Sequence, residues 1–388
     1  MPKVINAILQ TMRVVIIGGH LSPALSVIEA LPKDTEIVFI GRKYTFEGDK
    51  ALSLEYQTIT ARGISFRSIK TGRLQRKFTL HTLPSLGKLP YGIVQSYNIL
   101  AGFKPDVVMC FGGYVQIPVA LAASFLKIPI VVHEQTLKAG MANRLIAHLA
   151  TKICISWEES KKFFPQRKTI LTGNPLRKEF FETLKSIPKK DQKAHRPHIF
   201  VTGGSSGSHA INVLIEGCLE QLLKKWYVIH QTGDAKYQDF DRLQKLKKTL
   251  PKELQERYNL VKFVSPQEIV HTLLHADIVV SRSGMNTTTE LLYLGKPCIL
   301  IPLPYGQTNE QLDNARLLER TGLGKVALQD SLTPQLLYSQ IDEILATLDT
   351  YEVYSQKAKK LVHQDAAEKI VEVIKNTRRQ KNTQTEQK

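Results

Sequence analysis

The stretch Asp277-IVVSRSGMNTTTELLYLGK-Pro297 joins an apolar strand to a helix through a cluster of small and hydroxyl residues. Ile278–Val280 shows no polar alternation, which indicates a strand covered on both faces. A junction that only packs needs one cap and one glycine. Here Ser283, Gly284, Asn286, Thr287, Thr288 and Thr289 crowd the helix start. Backbone N–H groups at a helix N-terminus, with hydroxyls beside them, form an anion site. The structural alternative is an over-capped helix, since Ser, Thr and Asn all cap well.

The same strand–loop–helix unit recurs. In the first half Val14–Ile17, Ile37–Ile40, Val107–Cys110, Ile130–Val132 and Ile153–Ile155 read as strands, with helical patterns at Pro23–Leu31, Val115–Leu126 and Ala139–Leu149. Residues 180–197, with their lysines and two prolines, read as a linker. The pattern then restarts. His198–Thr202, Tyr227–Gln231, Leu260–Phe263, Ile278–Val280 and Cys298–Ile301 read as strands, and Ser208–Leu223, Ser265–His275, Met285–Leu294 and Glu310–Arg320 as helices. The fold class expected is α/β, with two Rossmann-like doubly wound domains at 1–179 and 198–350. Ligands are expected in a cleft that the two domains face, where strand C-termini deliver loops. Residues 351–377 are expected to form a C-terminal helix that packs back on the first domain. Residues 378–388 read as a disordered tail.

The chain has 388 residues and a formal net charge of +18. Residues 1–180 hold 24 Lys and Arg against 11 Asp and Glu, and no acidic residue lies between Glu55 and Asp106. Such a one-sided basic face attracts nucleic acid, anionic lipid or phosphorylated substrates. Within the acid-free window, 57–105, Leu74, Phe78, Leu80, Leu83, Leu86 and Leu89 are interleaved with Arg73, Arg76, Lys77 and Lys88. Pro84, Gly87 and Pro90 argue against one regular helix there. The window reads as a patch for an anionic membrane surface, or as core leucines beside solvated cations. The four cysteines, Cys110, Cys154, Cys218 and Cys298, lack zinc or CxxC spacing and read as buried thiols. No apolar run reaches about 20 residues, and the first residues do not read as a signal peptide.

Four glycine loops follow four strands: Ile17-Gly-Gly-His20, Phe111-Gly-Gly-Tyr114, Thr202-Gly-Gly-Ser-Ser-Gly-Ser208 and the stretch quoted first. Glycine lets backbone approach a ligand and turn its N–H groups inward. Two loops per domain suggest anions bound on both domains. No GxxxxGK[ST] and no full GxGxxG is present, which argues against a P-loop hydrolase and a dehydrogenase. Glu290, six residues beyond Gly284, is placed to accept from ribose hydroxyls, as the acidic residue of dinucleotide folds does. It would equally favour the helix dipole. Gln307-TNEQLD-Asn314 suits sugar hydroxyls or an ordinary cap.

Together these stretches resemble the MurG-type glycosyltransferases, which have the GT-B fold. The matching segments are GGHLSPALSV (18–27), FGGY (111–114), HEQ (133–135), AGMANR (139–144), GNPLR (173–177), TGGSSGSHAIN (202–212), HQTG (230–233), RSGMNTTTE (282–290), GKP (295–297) and QLDNA (311–315), in family order. The resemblance implies an inverting transfer of N-acetylglucosamine (GlcNAc) from UDP-GlcNAc to an undecaprenyl-diphosphate-linked N-acetylmuramoyl-peptide, at the cytoplasmic face of the cell membrane. It implies His20 as a candidate general base, with Glu134 the next candidate. Gly18, Gly19, Gly112, Gly113, Tyr114 and Asn143 are implied on the acceptor side. Arg177, Ser205, Ser283, Gly284, Met285, Asn286 and Thr287 are implied as the donor diphosphate and sugar set. Phe263 and Val264 resemble the uracil-reading strand end, Glu290 the ribose ligand, and Glu310, Gln311 and Asn314 the sugar contacts.

Two departures bear on substrate choice. The family's first loop reads GGxGGH, whereas only Gly18-Gly19-His20 follows the strand here. Glu310 stands where the family often has an amide. His20 could also simply cap the next helix. No Asp-x-Asp pair of the kind that holds a metal on a diphosphate is read, so neither a metal nor any other cofactor is expected. The alternatives are another GT-B enzyme, making a glycolipid or epimerising UDP-GlcNAc, and a nucleic-acid-binding protein. The last lacks aromatics interleaved with its basic window beyond Phe66, Phe78, Tyr91, Tyr97 and Phe103, so nucleic acid is not expected as a partner.

Overall fold

The computed structural model describes residues 11–44, 51–72, 82–186, 196–204, 206–233, 237–304 and 309–386. The chain divides into two units, Met1–Arg177 with His363–Lys388, and Lys178–Val362.

The first unit is a seven-stranded parallel sheet: β1 (Arg13–Ile17), β2 (Glu36–Gly41), β3 (Ser65–Ser68), β4 (Val107–Cys110), β5 (Ile130–Glu134), β6 (Lys152–Ile155) and β7 (Thr169–Leu171), in the order β3-β2-β1-β4-β5-β6-β7. Its helices are α1 (Leu21–Ala30), α2 (Leu54–Ala61), α3 (Thr82–Phe103), α4 (Gln116–Phe125) and α5 (Met141–Ile146). Successive side chains of a strand point to opposite faces. Val15 and Ile17 thus enter one apolar layer with Val108, Val119 and Ala123, while Val14 and Ile16 enter another with Ala24, Leu25 and Ile370. Burial on both faces is why these strands carry continuous Val/Ile runs.

The second unit begins with α6 (Lys178–Ser186). It continues with β8 (His198–Thr202), α7 (His209–Lys225), β9 (Tyr227–Gln231), α8 (Asp239–Thr249), α9 (Lys252–Glu256) and β10 (Tyr258–Val261). Then come α10 (Pro266–His275), β11 (Ile278–Ser281), α11 (Met285–Leu294), β12 (Cys298–Leu300), α12 (Glu310–Thr321), β13 (Gly324–Val326), α13 (Pro334–Ala346) and α14 (Tyr351–Lys359). Its six parallel strands run β10-β9-β8-β11-β12-β13. The final helix, α15 (Ala366–Glu386), lies in the first unit, where Ile370 and Ile374 are fully buried.

Several expectations are corrected. The supposed linker at 180–197 starts as helix α6, whose Phe180 and Phe181 stack edge-on against Tyr293 of α11. The C-terminal helix at 351–377 is two helices, broken after Lys359. The supposed tail is helical to Glu386. Pro90 sits inside the 22-residue helix α3. Proline costs about 3 kcal/mol in a helix interior, and the packing of Leu89, Ile99, Leu100 and Phe103 into the core outweighs it. Strands β3, β7 and β13 have no counterpart in the sequence reading. They are sheet edges, short and partly exposed, so they lack an apolar run. The leucines and cations at 73–80 lie outside the described residues.

Ile370→Ala should lower unfolding free energy by about 2–5 kcal/mol, the usual cost of emptying a core site. Urea denaturation measures it. A change below about 0.5 kcal/mol would make α15 an appendage rather than part of the first unit's core.

Candidate active site

In each unit the parallel strands end on one edge of its own sheet, and that unit's glycine loops follow those strand ends. In the first unit the loops after β1 and β4 pack backbone against backbone. His20 N–H donates to Phe111 O at 3.1 Å, and a Cβ on Gly19 would come within 2.3 Å of Gly112 O. Gly112 and Gly113 have φ of 93° and 76°. That left-handed conformation favours glycine, and a Cβ on Gly112 would meet the His20 ring at 2.9 Å.

His20 occupies the N-cap position of α1 but does not cap it. Its Nδ1 instead pairs with Gln135 Nε2 at 2.7 Å. Burial lowers its pKa below the ordinary 6.5, with the Glu134 carboxylate pulling the other way. Glu134 is 1% exposed and holds four donors: Thr136 N and Oγ1 on Oε1, and Gly140 N and Asn143 Nδ2 on Oε2. These hydrogen bonds fix the position of the Glu134 carboxylate. Asn143 is hydrogen-bonded on both sides of its amide. It accepts from Gln116 Nε2 and donates to His133 O and Glu134, and Gln116 in turn accepts the Gly112 N–H. This relay sets the FGGY loop from beneath.

A cavity of about 300 Å³ opens beside these loops, lined among others by Gly18, Gly19, Arg42, Glu55, Gly113 and Tyr114. Burial raises the Glu55 pKa, and backbone N–H groups of Arg42 and Gly19 oppose the rise. The Arg42 guanidinium lies over the Tyr114 ring at 5.7 Å. Sequence reasoning passed over Arg42, Glu55, Gln116 and Gln135. The first two follow β2, where no glycine pair marks a site.

In the second unit, β8 and β11 are sheet neighbours, with Thr202 paired to Ser281. Each leads into a helix without a side-chain cap: α7, after Ser208, and α11, after Gly284. So α11 is not over-capped: Gly284 stands at its N-cap and no side chain there caps it. Met285 is buried, while Asn286, Thr287 and Glu290 are partly exposed along the first turns. Phe263, 55% exposed, and Val264 follow β10 on the same edge.

Other expected donor residues are placed differently. Ser283 is fully buried, and its hydroxyl donates to Gln311 O. Asn314, also fully buried, donates to Ser283 O. Gln311 accepts from Leu303 N. These three brace the loop before α11 from α12. Glu310, partly exposed, begins α12. Arg177 closes the first unit, not the second. Ser205 lies outside the described residues.

One Asp-x-Asp does occur, Asp239-Phe240-Asp241, which the sequence reading overlooked. Asp239 is 1% exposed, and its oxygens are taken by His209 Nδ1, Arg242 Nη1 and Asn212 Nδ2. It joins a buried network through Asn212 to His230 and Tyr258. Among the described residues no group of three or more His, Cys, Asp or Glu side chains is arranged to hold a metal.

Two anion-ready loop pairs, one per doubly wound sheet, define a nucleotide-sugar glycosyltransferase architecture, and comparison with known proteins agrees. Residues 17–155 match the glycosyltransferase family 28 N-terminal domain and residues 198–383 its C-terminal domain. A Geobacter metallireducens protein named UDP-N-acetylglucosamine–N-acetylmuramyl-(pentapeptide) pyrophosphoryl-undecaprenol N-acetylglucosamine transferase is 32% identical, over 93% of this chain and 96% of its own. A Treponema denticola protein of the same name is 34% identical, over 82% and 83%. In fold, the chain is similar to Acinetobacter baumannii MurG (TM-score 0.73, 24% identity, 94% of this chain and 99% of that one). It is also similar to the Neisseria meningitidis UDP-GlcNAc 2-epimerase (TM-score 0.64, 17% identity, 94% and 100%). The chain belongs to the MurG-type N-acetylglucosaminyltransferases of glycosyltransferase family 28.

Asn143→Ala removes one of four donors from buried Glu134 and should destabilise the protein by about 1–3 kcal/mol, measured by denaturant titration. Unchanged stability with a raised acceptor KM alone would restore Asn143 as a direct acceptor contact.

Proposed function

We propose that this chain transfers GlcNAc from UDP-GlcNAc to an undecaprenyl-diphosphate-linked N-acetylmuramoyl-peptide, by one inverting displacement. The reading rests on a full-length relationship at 32% identity to enzymes named for that reaction. The uncapped helix starts after β8 and β11 support the donor assignment. As the anomeric bond breaks, negative charge grows on the diphosphate. Fixed N–H dipoles at those two helix starts stabilise it without reorganising. Glu290, on the second turn of α11, is the ribose ligand in this reading. The helix dipoles and Arg282, buried behind them, carry the electrostatic work, so no metal is invoked.

The acceptor hydroxyl gives its proton to His20. Its lowered pKa keeps the imidazole neutral at pH 7, the form a base requires. Gln135 sets the tautomer. As an N–H donor to Nδ1 it leaves the ring proton on Nε2. With its amide turned end for end, Oε1 accepts from Nδ1–H and Nε2 is the free base. Gln135 Oε1 has no partner among the described residues, so either orientation leaves one amide atom open.

A lipid-linked acceptor places the work at the membrane surface, in this reading the cytoplasmic face. No helix among the described residues is long and apolar enough to cross a membrane. Tyr91, Val94 and Tyr97, spaced along one face of α3, are 54%, 57% and 45% exposed. Phe125, at the end of α4, is 74% exposed. These apolar tips, and the basic composition of residues 57–105, support docking on anionic lipid.

The function is tested by UDP release with UDP-GlcNAc and the lipid acceptor in vesicles. Release should require the acceptor, favour UDP-GlcNAc over UDP-glucose, and be faster in anionic than in zwitterionic vesicles. Release of UDP without acceptor, or production of an epimerised UDP-sugar, would refute the transferase reading.

His20→Ala should lower kcat by about 100- to 10,000-fold with little change in donor binding. In the unmodified enzyme the acid limb of kcat/KM should lie below pH 6.5, because burial holds the His20 pKa down. A limb above 6.5, or a kcat loss under tenfold, would assign the base elsewhere.

A further inference from the structure

Arg282 follows β11 and is 9% exposed. Its side chain donates five hydrogen bonds, all to neutral oxygens. Nε and Nη2 reach Ser208 Oγ at 3.1 and 2.8 Å. Nη1 reaches Ile301 O at 3.0 Å and Pro302 O at 3.2 Å. Nη2 also reaches Gln329 Oε1 at 2.7 Å. Every guanidinium N–H is used, yet no carboxylate partner appears among the described residues. Burial is the only influence moving its pKa, and it moves it down. A buried charge without a counter-ion is costly, so its place in the fold needs a reason beyond cohesion.

Ser208 supplies that reason. It stands at the N-cap of α7, where serine ordinarily accepts from the helix's own first-turn N–H groups. It does not do so here. Its oxygen has two acceptor positions, and Arg282 fills both. The neighbouring helix α11 starts at Gly284, which has no side chain to cap with. Neither helix start, each following one of two adjacent strands, is capped by its own N-cap side chain.

We propose that Arg282 is a positioning residue for the donor diphosphate, holding Ser208 off the α7 N-terminus and adding its buried positive charge to the two open helix ends. The proposal rests on the donor-site reading above. It makes the diphosphate the missing counter-charge, so the contribution of Arg282 must grow with the phosphate charge of the ligand. A bracing role alone would affect all ligands equally.

The experiment is calorimetric titration of uridine, UMP and UDP, with uridine read by displacement. The proteins are the unmodified enzyme, Arg282→Met, Arg282→Lys, and Arg282→Met combined with Ser208→Ala. Binding stoichiometry reports the folded fraction of each. Arg282→Met should weaken UDP at least tenfold more than uridine, with UMP between. Arg282→Lys, which keeps the charge but not the forked hold, should lose less. Removing the Ser208 hydroxyl from Arg282→Met should recover part of the UDP affinity by uncapping α7. Equal losses for the three ligands, or unchanged UDP affinity, would overturn the proposal. If Arg282→Met does not fold, Arg282→Gln takes its place in the comparison, an unchanged UDP-to-uridine ratio counting against the proposal. Failure of the unmodified enzyme to bind UDP would instead overturn the donor-site reading.

Discussion

Parallel pairing makes every strand of a sheet end on the same edge, and this constraint governs the rest of the molecule. Each β-to-α turn on that edge exposes the positive end of a helix or a run of inward N–H groups. In the second unit Ser281 pairs with Thr202, so the starts of α7 and α11 follow adjacent strand ends. In the first unit the turns after β1 and β4 are in backbone contact. Glycine is required at Gly19 and Gly112 because backbone or an imidazole leaves no room for a Cβ there.

Close backbone contact in turn requires support from below, and buried amides and carboxylates provide it. Glu134 gathers Thr136, Gly140 and Asn143, while Gln116 links Asn143 to Gly112. In the second unit Asn212 ties Asp239 to Thr232 O and His230. Each network is well satisfied, and its members are held in single orientations. Such satisfaction is what a buried polar cluster needs to rigidify rather than destabilise.

The central strands were legible in the sequence because burial on both faces leaves Val/Ile runs. Edge strands β3, β7 and β13 were not, since half-exposed short strands leave no such trace. The glycine loops were legible as loops, but the roles of their neighbours were not. Ser283, Asn143 and Asn314 share residue types with ligand-binding side chains, and only the fold shows which backbone groups they hydrogen-bond. Arg282 sits inside the very stretch that marks the site. It was passed over because sequence alone gives no sign that a guanidinium is turned inward and lacks an acid. Arg42 and Glu55 lie 13 residues apart and meet only through the fold.

The two units also differ in the sign of the charge they fix, and the difference matches the chemistry. Behind the donor loops stand two open helix ends and Arg282, a buried cation without an acid. Behind His20 stands Glu134, a buried carboxylate whose effect on His20 is to favour the charged form. In the displacement the departing diphosphate gains negative charge, while the base gains a proton and becomes positive. Each end of the reaction therefore develops its charge against a preset opposite one. In the proposed reaction burial favours the neutral His20 before the step, and Glu134 favours the imidazolium that would form during it. Both are needed: desolvation alone would oppose proton uptake, and the carboxylate alone would leave His20 protonated too early. Burial is the stronger influence of the two, so the His20 pKa lies below its ordinary value.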